Sequence, residues 1–177
     1  MIIKSFFAGF GGQGVLSMGY TLAYAGMLED KQVTYLPVYG AEVRGGTAHC
    51  TVAVGDEEIS SPVASEPEYV VAMNLPSMLK FQNQIASGGR FFLNTTLIEE
   101  KPIRGDIELC EIPATALAEA INNPRSANMI MLGAFVKKTE LVAMDSIYLA
   151  LDQIFAKKKK LVQINRQALE RGYQFFS

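Results

Sequence analysis

Ile2-Ile3-Lys4-Ser5-Phe6-Phe7-Ala8-Gly9-Phe10-Gly11-Gly12-Gln13-Gly14-Val15-Leu16 is the stretch that decides the fold class. A short apolar run, Ile2 to Phe7, stops at a cluster of glycines, and the stretch Val15 to Leu28 follows without a charged residue. A buried strand that enters a tight turn and leaves as a helix predicts a layered α/β domain. Gly9, Gly11 and Gly14 satisfy the G-x-G-x-x-G spacing, in which backbone amides can approach a pyrophosphate at the positive end of a helix. The second half of that fingerprint is missing. An acidic residue should close the second strand to hold a ribose hydroxyl, but Gln32 to Leu36 runs into Pro37-Val38. Glu29 and Asp30 lie before that strand, at its wrong end. The turn therefore predicts close packing of a loop against a neighbour rather than a tightly held NAD.

Working outward, Thr47 to Val54 alternates, with Ala48, Cys50, Val52 and Val54 on one face, and reads as a half-buried strand. Gly55-Asp56 is a turn that could fold Glu58-Ile59 back as a hairpin. Tyr69 to Met73, Phe91 to Leu93 and Ile107 to Ile112 are further strands. Helices are predicted from Asn74-Leu75-Pro76 to about Ile85, then over Thr115–Ile121, Ala127–Lys137, Asp145–Ala156 and Leu161–Arg171. This succession gives one domain over residues 1–177. Its expected architecture is a three-layer α/β/α sandwich around a mostly parallel sheet that admits a mixed arrangement, with a Rossmann-like N-terminal βαβ unit.

Composition narrows the partners. Sixteen Lys and Arg against eighteen Asp and Glu leave a net charge of -2, which argues against a nucleic-acid backbone as the main partner. Charged residues make up 19%, below the roughly 25% of an ordinary domain, and hydrophobic residues reach 49%. Such a surplus predicts surface that another subunit covers. No run approaches the roughly 20 apolar residues of a spanning helix, and the N-terminus lacks the pattern of a secretory leader. Cys50 and Cys110 read as free buried thiols, so the expected compartment is the cytoplasm.

Tyr39-Gly40-Ala41-Glu42-Val43-Arg44-Gly45-Gly46-Thr47 is the second unusual segment. Charged residues framed by glycines imply close backbone approach to a partner or ligand, so Glu42, Arg44, Gly45 and Gly46 join Gly9, Gly11, Gly12, Gln13 and Gly14 as interface or ligand-facing candidates. His49 has no Ser, Cys or Asp at a spacing that would make it catalytic, and it reads as a satisfied polar-face histidine. Lys157 to Lys160 reads as an exposed turn near a helix C-terminus, where positive charge is favoured; docking of an acidic electron carrier is the alternative. Asn128 heads an otherwise apolar helix, as a buried cap or a contact to a neighbouring subunit. Two separated cysteines cannot ligate a four-cysteine iron–sulfur cluster. Gly55-Asp56-Glu57 lacks the third glycine of a thiamine diphosphate motif. No catalytic residue, metal site or cofactor is assigned to this chain.

The segments Gly9–Gly14, Tyr39–Ala48 and Ala127–Ala134, together with Glu66-Pro67-Glu68-Tyr69-Val70 and Ala72-Met73-Asn74, resemble the gamma subunit of the 2-oxoacid:ferredoxin oxidoreductases over essentially the whole chain. The pairing of Gly-Gly-Gln-Gly with Glu-x-Arg-Gly-Gly carries the specificity. The resemblance implies alpha, beta and delta (ferredoxin-like) partner subunits, which hold thiamine diphosphate, Mg2+ and [4Fe-4S] clusters, with CoA as co-substrate and ferredoxin as acceptor. Gly45-Gly46-Thr47-Ala48-His49-Cys50 resembles the 2-oxoglutarate branch, with His49 in place of an expected asparagine; branched-chain and pyruvate enzymes follow. A stand-alone nucleotide-binding oxidoreductase and a non-catalytic interaction protein are the competing readings. Neither nucleic acid nor membrane is an expected partner.

Overall fold

A computed structural model describes residues 1–40 and 46–177. The strands β1 (Ile2–Phe10), β2 (Gln32–Tyr39), β3 (Thr47–Gly55), β4 (Tyr69–Ala72), β5 (Arg90–Asn94) and β6 (Glu108–Ile112) form one sheet, in the order β2-β3-β1-β4-β5-β6. β1, β4, β5 and β6 are parallel, while β3 runs against both of its neighbours. The helices are α1 (Val15–Leu28), α2 (Leu75–Phe81), α3 (Ala114–Ala120), α4 (Ala127–Thr139), α5 (Met144–Ile154) and α6 (Lys159–Tyr173). This is the expected α/β sandwich in its mixed form.

The N-terminal unit departs from a simple βαβ. β1 and β2 run the same way, but β3 returns directly from β2 and takes the place between them. β2 is thereby an edge strand. That explains why Pro37 does not end it: Pro37 pairs with Cys50 inside the ladder, at an edge where a missing amide is tolerated. Glu58-Ile59 forms no strand, and α2 stops at Phe81, short of Ile85.

Strand alternation feeds two cores of unequal size. Phe7, Val71 and Phe92 face α1 and α3 to α6, and Phe135 of α4 sits among Phe7, Phe92 and Tyr69 at ring distances of 5.4, 5.1 and 5.7 Å. Phe6, Ala8, Val70 and Phe91 face the other way, onto Met78 and Phe81 of α2. α4 is buried almost all round, because α6 crosses its outer side. At that crossing a Cβ on Gly133 would strike the carbonyl of Leu169, and one on Gly172 would strike the carbonyl of Ile130. Close approach of the two backbones therefore depends on the bare Cα of both residues.

Candidate functional site

The chain runs to one side of β1 through α1 and β2, and to the other side from β4 through α2 and β5. This reversal places a topological switch point at the carboxyl ends of β1 and β4, where open α/β sheets receive ligands. The Gly9–Gly14 turn lies there. Gly9 is buried, and a Cβ on it would lie 2.7 Å from Gln13 Oε1 and 2.9 Å from Val15 Cγ1. Gly12 has φ of 96° and nothing within 4 Å of its would-be Cβ, so the tip of the turn is open. Gly14, with φ of 72°, starts α1 in the left-handed region and supplies no side-chain cap.

Gln13 closes the crevice from inside. Its Oε1 accepts from the Phe10 amide at 2.7 Å and from Asn74 Nδ2 at 2.8 Å, and its Nε2 donates to the Met73 carbonyl at 3.3 Å. Asn94 Nδ2 donates to the same carbonyl at 3.2 Å and to Thr115 Oγ1 at 2.9 Å, while Asn94 Oδ1 accepts from the Thr115 amide. Asn74 Oδ1 caps α2 by accepting from the Ser77 amide at 2.9 Å. A continuous row of side-chain amides thus spans the carboxyl ends of β1, β4 and β5. Asn74 and Asn94 are 3% and 0% exposed, so leaving either amide unpaired would be costly. The sequence reading missed Asn74, Asn94 and Thr115. Only Asn74 carries a local signal, as the residue ahead of Leu75-Pro76.

Dinucleotide chemistry does not fit this crevice. In a Rossmann turn the ribose-binding acid ends the strand beside β1, but here that neighbour is the amino end of β3, with Thr47 opposite Phe10. The end of β2 lies one strand further out, about 10 Å from β1 instead of about 5 Å. The geometric obstacle is therefore the intervening strand, in addition to the residue type at Pro37.

The two signature segments meet. The Gly11 amide donates to the Gly46 carbonyl at 2.9 Å, and the Gly40 amide to the Thr47 carbonyl at 3.1 Å, so the second loop ends beside the glycine turn and its two ends meet between β2 and β3. Glu42, Arg44 and Gly45 lie outside the described residues. Asn128 is in the first turn of α4, and its Nδ2 donates to the Gly14 carbonyl at 3.2 Å, so its amide is engaged within the chain. A Cβ on Gly14 would collide with that amide.

His49 is not the satisfied polar residue expected. It shares the α2 side of the sheet, with its ring 5.0 Å from Phe6 and 5.3 Å from Phe81, and its buried Nδ1 has no hydrogen-bond partner among the described residues. Desolvation first, and Lys80 second, push its pKa down, so the neutral imidazole is the favoured form. Cys50 and Cys110 are both buried and free, their thiols pushed up to about 12 and about 11 chiefly by burial. Neither has the thiolate character of a nucleophile. No group of three His, Cys, Asp or Glu comes together among the described residues. Gly55-Asp56-Glu57 sits at the opposite end of the sheet from the glycine turn, with Gly55 paired to Ile2, and does not fit a thiamine diphosphate site. No helix among the described residues is long and apolar enough to cross a membrane.

The described residues thus form a mixed-sheet α/β domain whose switch-point crevice is filled by its own amides. The chain belongs to the pyruvate ferredoxin/flavodoxin oxidoreductase family, whose model matches residues 4–175. It is 37% identical to the ketoisovalerate oxidoreductase subunit VorA of Methanothermobacter thermautotrophicus over 95% of this chain and 35% of that protein. The chain therefore spans about a third of that relative's length. It is 33% identical to the 2-oxoglutarate synthase subunit KorC of Methanocaldococcus jannaschii over 94% of this chain and 90% of that one. The crystal structure of the pyruvate oxidoreductase subunit PORC of Thermotoga maritima superposes with a TM-score of 0.82 at 26% identity, covering 98% of this chain and 96% of that one.

Proposed function

We propose that the chain is the gamma subunit of a cytoplasmic oxidoreductase that converts a 2-oxoacid, CoA and two oxidised ferredoxins to acyl-CoA, carbon dioxide, two reduced ferredoxins and a proton. The single observation that carries this reading is the pairing of the two glycine loops at the switch point, in a family member with no cluster of three His, Cys, Asp or Glu among its described residues. Thiamine diphosphate, Mg2+ and [4Fe-4S] clusters belong to alpha, beta and delta partners, and CoA to the assembled site. Gly11, Gly12 and Gly46 belong to the face toward those partners, and Glu42 and Arg44, read from the sequence between Gly40 and Gly46, supply its charges. The glycines let two backbones come close while the charges set register.

The preferred 2-oxoacid in this reading is 2-oxoglutarate. The KorC relative supports it as a stand-alone subunit of matching length, whereas the VorA relative is a much longer chain. The higher identity to VorA favours a branched-chain 2-oxoacid as the second reading. Native purification with mass spectrometry tests both, followed by reduction of a viologen dye with CoA and either 2-oxoglutarate, 2-oxoisovalerate or pyruvate. Co-purification with thiamine- and cluster-binding subunits and fastest turnover of 2-oxoglutarate is the expected result. A chain that purifies alone and oxidises a substrate by itself would overturn the reading.

A further inference from the structure

Lys157, Lys158, Lys159 and Lys160 are all exposed, and none makes an ion pair among the described residues. Only Lys157 sits just past the C-terminus of α5. Lys158 is the N-cap of α6, Lys159 and Lys160 are its first residues, and no acidic residue lies in that first turn. The structure thus corrects the sequence reading, because three of the four charges stand at the positive end of a helix. There they oppose the dipole and one another. Nothing described within the fold compensates them. Nearby basic residues behave differently: Arg166 pairs with Asp152 at 2.6 Å and lies over the Tyr148 ring.

Two clefts flank the run. One, of about 410 Å3, is lined by Gln153, Ile154, Phe155 and Lys158, and the other, of about 360 Å3, by Ala156, Val162, Gln163 and Lys159 together with Asp152, whose charge is taken up by Arg166. Leu149, one turn before Gln153 on α5, is 53% exposed. A run of lysines beside small recesses of mixed polar and apolar lining is unlike a permanent interface, whose core is depleted in lysine. It suits a transient encounter, in which point charges steer diffusion and small apolar contacts hold the partner briefly. The recesses also fit protein side chains better than the polar backbone of a nucleic acid, and the net charge of -2 agrees.

We propose that Lys157–Lys160 and their flanking clefts form the docking surface for an acidic, diffusible electron-carrier protein. The proposal rests on the reading of the chain as an oxidoreductase subunit, and it places the carrier on this subunit although the electrons come from its partners.

The test compares the assembled wild-type complex with one carrying Lys157→Glu, Lys158→Glu, Lys159→Glu and Lys160→Glu together. Acidic residues suit a helix N-terminus, so this variant should fold at least as well as wild type. Turnover is measured with a viologen dye and, separately, with a purified acidic ferredoxin at increasing salt. The expected result is unchanged turnover with the dye and a KM for ferredoxin raised about tenfold at low ionic strength, as lost steering implies. The difference should shrink toward 1 M salt, where the Debye length falls to about 3 Å. A corresponding Lys→Gln set should fall between the two. An unchanged KM for ferredoxin overturns the proposal. So does equal loss with dye and ferredoxin, which would mean that the lysines hold the assembly together. A wild-type complex that reduces no dye with any of the three 2-oxoacids would instead contradict the functional reading beneath it.

Discussion

Glycine serves two different ends in this molecule, at the Gly9–Gly14 turn and at the crossing of α4 with α6. At the tip of the turn, Gly12 needs its positive φ and has open space around it. At the crossing, Gly172 has ordinary backbone angles and no space, because the Ile130 carbonyl occupies the place of a Cβ. The first kind of glycine shapes a surface, and the second lets two helices share a core. One writes a motif into the sequence and the other does not.

Gly→Ala at the two positions should separate these demands. Gly172→Ala must drive α6 off α4 and is expected to cost about 3 kcal/mol or more, since backbone cannot give way as a side-chain tip can. Gly12→Ala should cost about 1 kcal/mol, from the left-handed conformation alone. Urea titration of both variants checks the order. Equal costs would mean that the crossing relaxes freely.

Between these extremes lie the amides that fill the crevice. Asn74→Ala removes the α2 cap and leaves Gln13 Oε1 with one donor fewer. About 2 kcal/mol is expected, roughly half from the cap and half from the network. Asn94→Ala breaks bonds to Met73 and Thr115 and should cost a similar amount. In a double-mutant cycle, Gln13→Ala with Asn74→Ala should be less than additive, because the two share a hydrogen bond. Strict additivity would show that the row of amides is not a connected network.

The smallest effect concerns His49. Its folded-state pKa is lowered, so the unfolded chain binds the proton more readily. Its contribution to stability is complete above the ordinary histidine value of about 6.5 and is lost as pH falls through the lower folded value. The melting temperature should drop modestly from pH 7.5 to pH 5.5, and less in His49→Asn. Identical slopes in the two proteins would show that the imidazole is not desolvated.

Local signals were legible where both ends of an element were marked. α1 runs from Val15 to Leu28 as expected, because its charge-free stretch is bounded by Gly14 and Glu29. The continuation of β2 past Pro37 was not legible, since it depends on β2 being an edge strand, a property of the whole sheet. The insertion of β3 between β1 and β2 was hidden for the same reason. At the site, the glycines of the turn were readable. The side chains that complete the row with Gln13, those of Asn74, Asn94 and Thr115, lie some sixty to a hundred residues away, and only Asn74, ahead of Leu75-Pro76, carries a local signal. The lysine run was read correctly as exposed, but a shift of a few residues in the start of α6 reversed the electrostatics of three of its members.

The crevice at the carboxyl ends of β1 and β4 is closed by the protein's own amides and by the antiparallel β3, despite a glycine spacing that suggests a dinucleotide. Calorimetric titration of the purified full chain with NAD and with NADP measures whether that closure holds. Weak binding at most is expected, with a dissociation constant in the high micromolar range or above, for which ~5 kcal/mol of binding free energy would suffice. A sub-micromolar dissociation constant for either nucleotide would contradict it.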